Sequence, residues 1–289
     1  MGACDAMTIP ADTLIVGTET LSWMVASELV RTAAESANAI LVDVSEHNGP
    51  MTWTKTREAR AVGAYIRAGL MEYGKPRADK QFERNAGEAP GILAVGYYWP
   101  IHPYYDANMQ ADYFTELIRG KHWDMRPAND VEITSVVTVA ARTAKVKGFQ
   151  LRVEGNLNTE MVDYTRQSWW DKNIAADPLW SQRDLWAARY PWGSDYKGVQ
   201  PSLRGWTSPW YDGYTKFRDW KDWKLFQFTA DSNGRGAEFG GSSSSMDVNE
   251  FNGDEAAFYA WIGWPQPVTL EQRVADLEKR VKILEDIHG

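Results

Sequence analysis

Four acidic residues stand where apolar, strand-like runs give way to turns. Asp43 follows AILV and precedes the polar run SEHNG, Asp130 and Glu132 form a D-x-E triplet, and Asp247 opens DVNEFNG after a Gly/Ser-rich stretch. In an extended strand, side chains two residues apart leave the same face, about 6.5–7 Å apart along the axis. Two carboxylates so placed repel each other, and with partial burial one pKa rises. A Glu kept protonated in this way protonates a leaving-group oxygen while its neighbour stays ionised against developing positive charge. Cleavage of a glycosidic bond needs a carboxyl pair of that kind. The D-x-E spacing falls near the boundary between retaining and inverting geometries, so attack by water and attack by a substrate acetamido oxygen both stay open. Plainer roles compete: Asp43 as a cap for the next segment, and D-x-E as an exposed strand end with two solvated acids.

These acids need elements to hold them. A helical pattern within residues 12–37 (Leu21, Met24, Val25, Leu29) precedes the strand AILVDVS, a helical stretch around TREARA and a strand VGAYIRAG at 62–69. A polar segment with Asp79 and Phe82 leads to the strand GILAVGYYWP (91–100), and ANMQADYFTELIRG (107–120) is a helix closed by Gly120. NDVEITSVVTVA (129–140) opens with strand alternation, 159–174 is part strand and part helix, and strands follow in DLWAARYP, KLFQFTAD and MDVNEFNG. This rhythm predicts an α/β fold of βα units around a parallel sheet or barrel, with the acids at the C-terminal mouth of the strands. GRGAEFGGSSSS (234–245) reads as a flexible loop, and the aromatic stretch 193–220 as an ordered surface connection. Prolines in WPQPVT (264–269) mark a boundary. Beyond it Leu270, Val274, Leu277, Val281 and Leu284 form a short a/d heptad stripe, suited equally to a homo-oligomer contact and to packing on the domain.

Composition narrows the chemistry. A formal charge of −8 over 289 residues argues against nucleic acid, and no apolar run is long enough for a membrane helix. One cysteine excludes an internal disulfide, and four scattered histidines, His102 and His122 among them, leave little for a metal; no metal and no cofactor are expected. The start MGACDAMTIPADTL lacks a basic n-region, which predicts synthesis in the cytoplasm without a secretory signal. Ser45 and His47 lie on one turn with no G-x-S-x-G elbow, so a serine triad is discounted. Arg142, Lys145 and Lys147 read as a solvated helix face. The 15 Trp and 13 Tyr fit a large core and also keep carbohydrate in view, since aromatic faces stack on sugar rings.

Taken in order, DVSEHNG, YIRAG, Asp79 with Phe82, GYYWP, DVE, LWAARY, LFQF and DVNEFNG resemble the lysozymes (N-acetylmuramidases) of glycoside hydrolase family 25, abundant among phage endolysins. The resemblance spans roughly residues 39–264. It implies a (β/α) barrel variant of five βα units plus antiparallel strands, a catalytic domain at 39–264, an N-terminal helical extension at 1–38, and a linker with the heptad helix at 265–289. It implies Glu132 as general acid, Asp130 as its supporting carboxylate, Asp43 and Asp247 as further acids of the pocket, and Arg67, Tyr98, Trp99, Trp186, Tyr190 and Gln227 as substrate-binding residues. The activity implied is hydrolysis of the β-1,4 bond between N-acetylmuramic acid and N-acetylglucosamine in bacterial peptidoglycan, without metal or cofactor. A phage endolysin released from the host cytoplasm to the wall is the expected context. A virion or tail structural protein with a wall-directed barrel, and a carbohydrate-binding barrel without turnover, are the alternatives. GYYWP stands where the family has G-x-Y-H-F, FQF where it has W-Q-Y, and AGLM where it keeps a small polar–Glu–Gly turn. These departures bear on cleft shape more than on the reaction.

Overall fold

The computed structural model describes residues 38–190, 216–230, 234 and 236–264. The expected N-terminal helix, most of the aromatic connection and the heptad stripe lie outside them. Along the chain, β1 (Ile40–Val44), α1 (Trp53–Glu58) and β2 (Ala61–Arg67) are followed by a hairpin of β3 (Gly69–Glu72) and β4 (Lys75–Ala78), then α2 (Phe82–Glu88). Next come β5 (Ala94–Pro100), α3 (Ala107–Ile118), β6 (Ala128–Asp130), α4 (Val139–Leu157), β7 (Val162–Thr165) and α5 (Gln167–Asn173). The series ends with β8 (Asp184–Ala188), β9 (Leu225–Thr229), β10 (Asp247–Phe251) and α6 (Glu255–Trp261). All strands except the hairpin close into one barrel in the order β1-β10-β9-β8-β7-β6-β5-β2. Neighbours are parallel from β1 through β2, β5, β6, β7 and β8 to β9; β10 alone runs against both of its neighbours.

Strand alternation sorts the side chains into two cores. Inside the barrel lie Leu41, Tyr65, Tyr98, Val162, Tyr164, Trp186, Leu225 and Phe251. Between barrel and helices lie Val42, Ile66, Tyr97, Trp99, Phe114, Phe149, Trp170 and Phe228. Strands covered on both sides read as near-continuous apolar runs, which is why β1 and β2 are buried along their whole length. The end opposite the mouth is plugged by Phe258 of α6, against Phe251 at 5.5 Å. Gly63 leaves room for this plug, because a Cβ there would lie 3.0 Å from Phe258 and from Leu41. Many of the tryptophans are core: Trp99, Trp170, Trp180 and Trp186 are fully buried.

Several expectations need correction. The segment after Arg67 is not simply polar: it is a hairpin whose two-residue turn, Tyr73–Gly74, has φ of 47° and 81°. Positive φ at both turn positions matches strand twist in short hairpins. NDVEITSVVTVA does open as a strand, but the ladder ends at Asp130 and Thr138 caps α4, its hydroxyl accepting from the Ala141 amide at 3.2 Å. Arg142 is not solvated; it is buried and its guanidinium donates to the carbonyls of Ser135, Val137 and Asn173, tying down the loop that follows Glu132. Residues 236–245 are not free chain: Gly236–Phe239 forms a 3-10 turn with Phe239 buried, and the Ser242 and Ser243 amides donate to the Asn48 carbonyl.

The unexpectedly polar residues before Asp130 also have a reason. Asn129 points outward, fully buried, and donates to Asp163 Oδ1 at 2.7 Å. Burial pushes the Asp163 carboxyl up from 3.8 to about 7. Such a group stabilises the fold most below its unfolded pKa and withdraws that stability, about 4 kcal/mol, as pH rises through its folded pKa. Asp163→Asn keeps the acceptor for Asn129 and removes the ionisation. The variant should therefore melt clearly above the parent at pH 9 and close to it at pH 4. Thermal denaturation at both pH values checks this, and parallel pH profiles for the two proteins would refute it.

Candidate active site

The four acids meet at the mouth. Asp43 lies one residue before the end of β1 and Asp247 begins the antiparallel β10, where they are cross-strand partners. Capping does not explain Asp43, because Ser45 caps the short 3-10 turn Glu46–Asn48. Asp43 Oδ2 instead accepts from Asn249 Nδ2 at 2.8 Å and Gln227 Nε2 at 2.7 Å. Burial raises the Asp43 pKa and these two donors oppose the rise. Burial raises Asp247 further, and the neighbouring Asp43 charge adds to it through a hydrogen bond between the two side chains. Between them the pair keeps one proton at neutral pH.

Asp130 sits at the end of β6. Glu132 lies just past the strand, in extended chain: the Val131 amide donates to the Tyr164 carbonyl at 2.9 Å and Thr165 Oγ1 to the Val131 carbonyl at 2.7 Å. Val131 turns outward into the core, so the same-face relation of Asp130 and Glu132 outlasts the ladder. Burial raises the Asp130 pKa well above normal, with the charges of Glu132 and Asp43 adding. Its Oδ1 is sealed from solvent without a partner. Glu132 is likewise raised by burial, against the opposing Arg166, whose Nε lies 3.1 Å from Glu132 Oε2. The Glu132 side chain remains 34% exposed, so this acid faces the open cleft.

The residues expected to touch substrate divide. Tyr98 points into the mouth, held neutral by burial and by the charge of Asp43. Tyr190 is half-buried there and its hydroxyl donates to Gln227 Oε1. Trp99 is a correction: at 0% exposure it faces away from the cleft, packing on Tyr113 and Phe114 and donating to Gln110, because alternation in GYYWP sends only Tyr98 inward. Trp186 lies beneath the site rather than in contact with solvent, at 1% exposure, stacked on Tyr65 at 4.7 Å. Gln227 is spent internally, donating to Asp43 and accepting from Tyr164 and Tyr190. Arg67 is committed to Asp79 at 2.8 Å, with Glu46 at 3.5 Å.

Asn249, Tyr164 and Arg166 belong to the site without having been singled out. Parity along β10 and β7 signals the first two: Asn249 is two residues from Asp247, and Tyr164 shares its face with Val162. A lone Arg in YTRQ carries no such signal. Gly96 matters here, since a Cβ would lie 2.6 Å from the Tyr65 ring and displace the aromatic floor.

A barrel mouth with four gathered carboxylates over an aromatic floor suits sugar hydrolysis, and comparison agrees. The profile of glycosyl hydrolases family 25 matches residues 42–237. The chain belongs to that family. Family 25 membership makes it a glycosidase of the lysozyme class, with peptidoglycan as substrate. It is similar to Lysozyme M1 of Streptomyces globisporus, at 26% identity over 240 residues, covering 78% of this chain and 72% of that one. Its fold resembles the bacterial lysozyme of Streptomyces coelicolor, with a TM-score of 0.60 at 20% identity, covering 78% of this chain and 97% of the other. It resembles the CTP1L endolysin similarly, with a TM-score of 0.56 at 19% identity over 78% of this chain and 69% of the other.

Proposed function

We propose that the chain hydrolyses the β-1,4 bond from N-acetylmuramic acid to N-acetylglucosamine, with Glu132 as the proton donor. The observation that carries this reading is Glu132 itself: one of four converging acids, raised by burial, with a third of its side chain open to the cleft and Asp130 beside it on the same face. Glu132 gives its proton to the glycosidic oxygen as the C1–O bond breaks, and positive charge gathers on the anomeric carbon. The Asp130 carboxyl, partly open to the cleft, is suited to accept from the substrate acetamido N–H. That contact turns the acetamido oxygen toward C1, which favours substrate assistance, with water then opening the cyclic intermediate. Asp43 and Asp247 supply a fixed negative field and a proton reserve on the far side of the mouth.

The biological setting we propose is that of a phage endolysin, made in the host cytoplasm and reaching the wall at lysis. The fold likeness to an endolysin supports this reading. Purified peptidoglycan digested with the protein, reduced with borohydride and analysed by mass spectrometry should yield fragments ending in reduced N-acetylmuramic acid. Fragments ending in reduced N-acetylglucosamine would overturn the bond assignment. For the setting, expression inside a bacterium should leave cells intact until the membrane is permeabilised, after which they lyse.

A further inference from the structure

We infer that Arg166 receives a carboxylate of the substrate and, in leaving Glu132 to do so, releases the acid for proton transfer. This rests on the muramidase reading above and adds a step at its entrance.

The mouth is strongly acidic. The charge of Glu132 is felt by the carboxyls of Asp130, Asp43 and Asp247 and by the hydroxyls of Tyr164 and Tyr190. Arg67 is buried in its pairing with Asp79 and Glu46, so it is not available to an incoming group. Arg166 is different: its side chain is 46% exposed and, among the described residues, Glu132 is its one ion-pair partner. Its backbone is fixed between β7 and α5, with its carbonyl accepting the Trp169 and Trp170 amides at 3.0 and 2.9 Å. The side chain can therefore swing while its root stays put.

The pairing with Glu132 is at odds with the reaction. A cation at 3.1 Å favours the carboxylate and so works against the protonated acid the chemistry needs. An anionic substrate entering a ring of carboxyls also needs a cation to receive it. Both problems have one solution if the guanidinium changes partner. Peptidoglycan strands carry carboxylates on the muramic acid side of the bond, on the lactyl ether or on the peptide attached to it. A guanidinium fork takes a carboxylate through two donors at once. As it moves, Glu132 loses its counter-charge and its affinity for the proton rises, in the presence of the correct substrate and not before. Once the guanidinium has left, the Glu132 carboxylate takes up one proton from solvent and holds it until it passes to the glycosidic oxygen.

The test uses soluble glycan strands in three forms: with peptides, with peptides removed to expose lactyl carboxylates, and with all carboxylates amidated by carbodiimide and ammonia. Arg166→Gln should cut the kcat/KM preference for a carboxylate-bearing form over the amidated strand about three- to tenfold, the size expected of one charge-assisted contact at a half-exposed site. Loss on peptide-bearing strands alone assigns the peptide carboxylate, and loss on peptide-free strands assigns the lactyl one. In the parent, the alkaline limb of kcat should lie above that of kcat/KM by more on carboxylate strands than on amidated ones, since the two profiles report complex and free enzyme. In Arg166→Gln that difference should vanish, and Arg166→Lys should restore part of it. An equal loss on all three strands, or limbs indifferent to amidation, would overturn the exchange. If the parent released no reducing ends from any strand, the muramidase reading would fail first, which is a distinct result.

Discussion

Replacing Glu132 by Gln should lower kcat on peptidoglycan by about 10²–10⁴-fold, the range that general acid catalysis contributes. The amide is isosteric and cannot donate a proton in a Brønsted sense. Stability should barely change: the side chain is one-third exposed and its ion pair is with a half-exposed Arg166, and such pairs contribute at most about 1 kcal/mol. The Gln oxygen can still accept from Arg166 Nε. The decisive comparison is turnover against melting temperature. A folded variant retaining more than a tenth of parental kcat would remove Glu132 from the acid role and point to Asp130 or the Asp43–Asp247 pair.

The second large effect concerns the floor. Trp186→Ala should destabilise the fold by about 3–5 kcal/mol, as for other large aromatic truncations in cores. The ring is fully buried, stacked on Tyr65 and edge-on to Tyr98 and Tyr164 at 6.3 and 4.8 Å. Its indole N–H donates to Asn249 Oδ1 at 2.7 Å, and Asn249 in turn holds Asp43. Trp186→Phe separates the two contributions, because it keeps most of the packing and deletes the donor. Stranding the buried Asn249 oxygen should still lower stability by about 1–3 kcal/mol and loosen Asp43. Denaturant midpoints and kcat for both variants measure this. Equal stability of parent and Trp186→Phe would show that the hydrogen bond holds nothing in place.

What was legible in the sequence follows from strand parity. Asp43 and Asp247 sit at the ends of apolar runs, and pairing of β1 with β10 brings them together. Asp130 and Glu132 share a face because Val131 between them is anchored outward. The errors also follow from parity: two adjacent rings, Tyr98 and Trp99, were both assigned to the cleft, and a strand can deliver only one of them inward. Arg67 and Gln227 were located correctly in the barrel yet are consumed by internal partners, and partner choice leaves no trace in a linear pattern. The helix α4 was hidden because Arg142 and Gln150 interrupt the buried stripe of Val146, Phe149 and Val153. The β3–β4 hairpin was hidden because its strands are only four residues long and its turn uses Tyr73 in a left-handed conformation that residue type does not announce.

The Phe258 plug has a geometric corollary. Ala39 is tied to Phe251 and Gly253 by backbone hydrogen bonds, and the Trp264 indole reaches Asp124, whose amide meets the start of β5 at Val95. Residues 38 and 264 thus anchor at the pole away from the carboxylates. A bead, a dye or a targeting module tethered through either anchor point leaves the catalytic pole unobstructed, so a polymer far longer than the barrel is wide can slide across it.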